Sequence, residues 1–498
     1  MAEAQLRLIV LAFLAGLGVQ PALAKDVITK QYEDGGLYTG TFTDGKQDGH
    51  GTYKLPSGYE YEGEWVMGEI RGEGRAQFPN GSVYVGHFAR GKPDGKGKIT
   101  FADGSTYEGD WVNGQITGTG VANYANGSTY TGQFLNAMHN GTGTLVSANG
   151  YRYEGDWVEG VKQGQGKITY PDGSVYLGQM KNGQRDGTGT LTMADGLVYE
   201  GAWQNGQMSG TGKLTQANGD VYEGQMADGK REGKGKVTYA NGDTYEGEFH
   251  DDKRDGTGTF HGTDGYIYEG EWKAGRIQGT GKVTYPDGSV YQGSFKNDLP
   301  DGQGKITYPD GSSYEGGWVA GVIEGKGVAN YANGLVYEGE FKNARNEGHG
   351  KMTYPDGYTY EGEWVGGQRQ GQGVAQYADG TVYDGTFKNG QRDGMGKLTM
   401  PDGFVYEGEW RNGAIDGQGK ATYANGDTYE GYFSNGKREG RGTMTYASGK
   451  VAEGQWANDE LKSGGDAAPA PATPEAGTSA GGQDAAPPSE TAPQPQDN

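Results

Sequence analysis

The chain contains no cysteine, which excludes disulfides and a lipidated N-terminal Cys. Histidine is nearly as scarce: the six His are scattered, and no two lie at metal-ligand spacing beside carboxylates, so no metal site is expected. Basic side chains are outnumbered, 43 Lys and Arg against 65 Asp and Glu, for a net charge of −22. Nucleic acid needs a continuous basic track to release counterions, and none exists here. Anionic lipid head groups meet the same repulsion. Local contacts by Lys230-Arg231 and Lys437-Arg438, or bridging divalent cations, are the routes left to such a surface. Long apolar runs are also missing. The one candidate, Leu8 to about Val19, is too short to span a bilayer comfortably. With Arg7 before it and Ala22-Leu23-Ala24 ahead of Lys25, residues 1–24 read as a signal peptide cut after Ala24, an uncleaved anchor being the alternative. The mature chain is therefore expected to be exported, periplasmic or secreted, and at most peripheral to the envelope membrane.

What the chain has is glycine, 99 residues of it, in a strict period. From Tyr38 a 23-residue unit repeats eighteen times without insertion or deletion and ends in a truncated copy at Ala452. An enzyme site needs one irregular place, and an unbroken period supplies none, so the repeat points to a scaffold or a binding surface. With Tyr as position 1, Gly recurs at positions 3, 12, 14 and 21, as Gly247, Gly256, Gly258 and Gly265 show. Asn-Gly or Asp-Gly falls at positions 7–8 (Asn182-Gly183, Asn389-Gly390) and at 20–21 (Asp287-Gly288). These pairs predict type I′ hairpin turns, so each copy should be one β-hairpin.

Strand alternation sorts the unit onto two faces. Tyr245, Gly247 and Phe249 share one side with Gly233, Gly235, Val237 and Tyr239; Glu246, Glu248, Lys234, Lys236 and Thr238 take the other. Glycine beside the rings is expected to leave room for rings of a neighbouring hairpin to lie flat over the backbone. All nine Trp stand at position 5, alternating with Phe or Met, a pattern of large and small rings packing in turn. Copies without Trp tend to carry an acidic residue just before the second glycine, as at Asp186 and Asp393.

The run Tyr61-Glu62-Gly63-Glu64-Trp65, followed by Gly72, Gly74 and Gly81, resembles the MORN (membrane occupation and recognition nexus) repeat, and the resemblance extends from residue 38 to about 457. It implies an all-β fold: an elongated, single-layer, twisted antiparallel sheet of tandem hairpins. It says little about function, because such arrays serve in junction scaffolds, in accessory regions of lipid kinases and methyltransferases, and in many bacterial proteins. Departures fall at Met180 and Met226 for the position-5 ring and at Leu55, Ser147, Met193, Gln216, Gly262 and Met400 for a second aromatic at position 18.

The expected organisation is a signal peptide (1–24), a lead-in (25–37), the array (38–461) and a disordered Pro/Ala-rich acidic tail (462–498). About 37 strands at roughly 4.8 Å spacing would make a rod on the order of 180 Å. One aromatic face without helices to cover it is expected to bind a partner or a second copy, as an antiparallel homodimer. Its candidate residues are Tyr245, Phe249, Tyr268, Trp272, Tyr285, Tyr291, Tyr314, Trp318, Trp364 and Trp410. The same face could instead engage a membrane surface or a glycan. An outer-membrane barrel fits less well, since its lipid face would be Tyr, Gly, Trp and Gly.

Catalysis finds no footing. Gly95-Lys96-Gly97-Lys98 lacks the Lys-Ser/Thr of a phosphate loop, Asp251 to Gly262 lacks the bidentate Glu of a calcium loop, and the Glu pairs at positions 2 and 4 recur without a cleft. The reading is a non-enzymatic scaffold without cofactor. The irregular copies around Leu135–Asn149 and Met226–Gly262 are where a distinctive contact is expected.

Overall fold

The structure, a computed structural model, describes residues 26–464, so the leader and nearly all of the tail lie outside the described residues. Those residues form 39 strands, each antiparallel to the strand it pairs with, and no helix. The chain divides between Met208 and Ser209 into two compact units. In the first, consecutive strands from Ile28–Gln31 to Val198–Gln204 pair in sequence order; the second repeats that meander up to Glu460–Gly464. The hairpin prediction therefore holds copy by copy, with strands of seven and nine residues such as Thr244–His250 and Lys253–His261.

The turn at positions 7–8 is the predicted one. Asn182 (φ 51°) and Gly183 (φ 79°) both take left-handed φ, as a type I′ turn requires. The turn at positions 20–21 is not. Only Gly288 has positive φ there (86°), and its N–H bonds back to the Tyr285 carbonyl at 2.9 Å while the Asp287 side chain accepts the Ser289 N–H at 2.8 Å. That is the pattern of a type I turn closed by a left-handed glycine and held by an Asx bond. Sequence alone did not separate the two because Asp-Gly suits both.

The glycines have different tasks from those expected. Tyr245 pairs with Phe260 and Gly247 with Gly258, but the next pair is Phe249 with Arg254, so Asp255 to Thr257 bulge opposite Glu248. Gly256 sits in that bulge at φ +100°, and a side chain on it would run into the Glu248 carboxylate, on the polar side. Position 12 is thus glycine for its backbone conformation, not to clear a ring. Position 14 does clear a ring, and the ring is the hairpin's own. A methyl on Gly258 would lie 2.3 Å from the Tyr245 hydroxyl oxygen and 2.6 Å from its ring carbons. The Tyr lies across Gly247 and Gly258 and donates its hydroxyl to the Glu248 carbonyl at 3.0 Å.

Between copies the rings interlock edge to face. Trp272 meets Tyr268 of its own hairpin at 5.2 Å between centroids and Tyr245 of the preceding one at 5.3 Å, an arrangement worth about 0.5–1.5 kcal/mol per pair beyond burial. Its indole N–H donates to the Gly258 carbonyl at 3.2 Å, and all nine Trp make this bond to the preceding copy.

The acidic residue before the second glycine is likewise a joint. Asp186 accepts the Asn205 N–H at 3.2 Å and Asp393 the Asn412 N–H at 3.2 Å, each in the next copy's left-handed turn. Glu, Gln, Asn or Thr at the same position does this elsewhere, for example Gln370 to Asn389.

Candidate functional site

The residues nominated as an interaction face are the core. Tyr245, Phe249, Tyr268, Trp272, Tyr291, Tyr314, Trp318, Trp364 and Trp410 are each at most 5% exposed, so they present no accessible surface. Each hairpin covers its own glycines with its Tyr, and the position-5 side chain of the next hairpin, a ring except at Met180 and Met226, seals that Tyr. Tyr285 alone is half-buried. It belongs to a second stripe, the position-18 rings at the longer turns, where Phe78, Phe101, Tyr170 and Tyr308 are also half-buried and Tyr124 is exposed.

Sequence reasoning missed position 10, which faces the core. Arg369, Arg392 and Arg438 there are at most 1% exposed. Each lies against the next copy's ring: Arg392 is 4.4 Å from the Trp410 centroid, Arg438 4.8 Å from Trp456 and Arg369 5.5 Å from Phe387. Arg438 also pairs with Asp459 at 3.2 Å. Arg438 is therefore not available to a lipid surface, contrary to the expectation for that turn, although Lys437 is exposed. At the companion turn Arg231 pairs with Asp252 at 3.4 Å and Lys230 with Asp251 at 2.7 Å. The signal for this role was parity: position 10 shares it with the ring-face glycine at 14, and the two extra residues in the bulge preserve it.

The two irregular copies do make contacts that others lack. In the first, His139 occupies position 10, stacked on Tyr130 at 3.6 Å and 2.6 Å through Nε2 from the Tyr124 hydroxyl. Burial pulls its pKa down from 6.5 to about 4. A group held neutral in this way contributes stability that is complete above the unfolded pKa near 6.5 and lost as pH falls toward 4. The thermal midpoint should drop across that window, and His139→Gln should flatten the drop. In the second irregular copy the sign is reversed. The exposed His250 sits 2.9 Å from Glu232, whose carboxylate raises its pKa, so its small contribution fades as pH rises.

The opposite face is polar and floored by the glycines of positions 3 and 14. Cross-strand pairs run along it: Lys98–Glu108 at 3.2 Å, Lys213–Glu223 at 3.4 Å and Lys305–Glu315 at 3.2 Å, all exposed and worth at most about 1 kcal/mol each. Open grooves lie on this face, one of about 590 Å³ between Glu223, Lys236, Glu246 and Thr259. On the ring side of the first unit, a cleft of about 490 Å³ is lined by Phe78, Pro93, Phe101, Trp111 and Ile116 with the amides Asn80, Gln115 and Asn136. Among the described residues no three His, Asp or Glu are grouped to hold a metal ion, and no helix is long and apolar enough to cross a membrane.

The MORN repeat family matches eighteen consecutive segments, from 38–58, 61–83 and 84–106 through 130–150, 153–175 and 245–265 to 406–428 and 429–451. The chain belongs to the MORN-repeat family. Such repeats serve as scaffolds and in protein- or membrane-interacting proteins, and are in general non-enzymatic. Among curated proteins none matches this MORN protein. Solved structures with local likeness include the wild-type TCP10 domain of Danio rerio CPAP, 18% identical over 53% of this chain and 96% of that one, with a TM-score of 0.16. The SAS-4 TCP domain of Drosophila melanogaster, in complex with a proline-rich motif of Ana2, is 13% identical over 45% and 90% of the two chains, at a TM-score of 0.16. A streptogramin B lyase is 15% identical over 58% and 89%, at 0.11. TM-scores this low leave those chains without bearing on the function of this one.

Proposed function

We propose that this MORN protein is a non-catalytic scaffold of the cell envelope that binds protein, including a second copy of itself, through surfaces outside its ring core. The observation that carries this is the division of labour within each copy. The Tyr, Trp and Phe rings are spent on joining hairpins, while the glycine-floored face carries exposed Lys–Glu pairs in several copies, interrupted by exposed Val85 and Leu177. A face of mixed charged and apolar side chains suits a protein partner through complementary potential and apolar contact. Export is supported by the leader-like residues 1–24 and the absence of cysteine.

A second reading, contact with a membrane surface, draws on one stretch. Residues 112–151 contain no Asp, Glu, Lys or Arg, and Val112, Leu135 and Met138 are each more than 40% exposed there. Glycan binding by the aromatic face loses its support, because the rings are covered.

Cross-linking in host cells separates the readings when combined with co-sedimentation of residues 25–498 with vesicles of the host's envelope lipids, with and without magnesium. The scaffold reading expects a chain left in the supernatant and a protein cross-linked to it, with the cross-link weakened by Lys234→Glu and Lys236→Glu. Pelleting that is lost in Leu135→Glu, without any cross-linked protein, would replace it by the membrane reading.

A further inference from the structure

At the longer turns the ring side is edged by positions 18 and 22, and these fall into two patterns. Where position 22 is a ring, it closes the gap to the position-18 ring of the next copy: Tyr59 meets Phe78 at 5.9 Å, Tyr151 meets Tyr170 at 6.1 Å and Tyr266 meets Tyr285 at 6.1 Å between centroids. In the three copies that begin at Tyr61, Tyr84 and Tyr107, position 18 is Phe78, Phe101 and Tyr124, but position 22 is Ser82, Ser105 and Ser128. Ring and serine alternate along this edge. The rings keep accessible surface there, Phe78 and Phe101 being half-buried and Tyr124 37% exposed.

Two slots result, one between Phe78 and Phe101 over Ser82, the other between Phe101 and Tyr124 over Ser105. Neighbouring copies are two strands apart, so the slots recur at about 9.6 Å. A polyproline II helix advances about 3.1 Å per residue with three residues per turn, so every third side chain returns at about 9.3 Å. Prolines three residues apart therefore meet successive slots, and aromatic-lined grooves are what such segments occupy. The helix leaves its own carbonyls unbonded, and donors stand beside the first slot. Asn80 spends its side-chain oxygen on the Ser82 N–H at 3.0 Å, which leaves its amide N–H groups to give. Gln115 and Asn136 line the same cleft, and no charged side chain lies in its lining. The Asp103 carboxylate near the second slot is held by the Ser105 N–H at 2.9 Å and hydroxyl at 2.6 Å.

We propose that these slots dock the chain's own Pro/Ala segment, residues 467–474, with Pro471 and Pro474 in the two slots. Seven of the 17 prolines stand beyond Gly464, where the last strand ends, and Pro471-Ala472-Thr473-Pro474 has the three-residue spacing. The segment is uncharged between Asp466 and Glu475, so an acidic chain does not repel it from an uncharged cleft. The inference goes beyond the scaffold reading, which concerns the opposite face and does not depend on it.

Site-specific photocross-linking in the full mature chain, residues 25–498, provides the test, with p-benzoylphenylalanine placed at Phe101. Irradiation should join position 101 to a peptide that contains residues 467–474, identified by mass spectrometry. Pro471→Gly with Pro474→Gly should lose the product, because glycine gives up the preformed helix. Ser82→Tyr should lose it too. It fills the first slot as Tyr151 does before Tyr170, and it is expected to fold because Tyr59, Tyr151 and Tyr266 already stand at that position. The same label at Leu177, 60% exposed on the opposite face, should capture no tail. An excess of a synthetic 465–476 peptide should suppress the Phe101 product, and the same peptide with both prolines replaced by glycine should not. No tail product, an equal yield from Leu177, or a product that survives in Ser82→Tyr or in the double proline variant overturns the docking. Capture of a partner protein's segment in place of the tail, in host cells, overturns it as well.

Discussion

Trp318→Ala should cost the second unit about 3–5 kcal/mol, the usual range for deleting a buried aromatic. Trp318 is 2% exposed, meets Tyr291 at 5.2 Å and Tyr314 at 5.6 Å edge to face, and donates its indole N–H to the Gly304 carbonyl at 3.2 Å. Removing it opens a cavity, strips two ring partners and leaves a carbonyl without its donor. In a repeat array each copy is stabilised mainly by its neighbours, so the loss should appear first as local opening. Hydrogen exchange should show protection falling in the strands Leu299–Thr307 and Ser313–Val319, which share the lost bond, with a lower urea midpoint. A binding role for the ring predicts the reverse, intact protection with a lost ligand. Unchanged protection would refute the packing assignment.

Gly258→Ala is expected to be strongly destabilising for a single added methyl. Its Cβ would sit 2.3 Å from the Tyr245 hydroxyl oxygen, so the ring must lift from the glycine pair and release its bond to the Glu248 carbonyl. Overpacking alone costs about 1–3 kcal/mol, and the freed carbonyl adds to that. Gly275→Ala is the control: its φ of +90° strains any side chain, but nothing lies within 4 Å of the new methyl. Urea unfolding should rank Gly258→Ala clearly below Gly275→Ala in stability. Equal midpoints would mean that the Tyr ring is not held down on the glycines.

Much of the architecture was legible because the repeat removes ambiguity. Asn-Gly at positions 7–8 admits few backbone conformations, and eighteen in-phase copies confirm one another, so the hairpins and the family could be read without coordinates. The alternation of faces was legible for the same reason, since a strand has a period of two. The second turn was misread because Asp-Gly serves two turn types that differ only in the backbone of the Asp.

The interaction face was misassigned for a different reason. A period of two says that Tyr245 and Trp272 share a side, but not whether that side is open. Their burial depends on the distance between hairpins and on rings meeting across 5 Å, and neither quantity is written in a single copy. Position 10 shares the parity of the ring-face glycine at 14, and the two residues added by the bulge at Asp255 to Thr257 preserve it; it was missed because a charged side chain next to a turn is ordinarily solvated. An Arg beside a turn looks solvated until the register places it over an indole.

By itself the sequence determined the hairpin unit, its number of copies, the glycine and ring positions and the acidic balance, because these follow from local backbone preference and composition. Only the tertiary structure decided which face is closed and which arginines are core. Those outcomes depend on how one copy's side chains fit against the next, and packing between copies is a property of pairs.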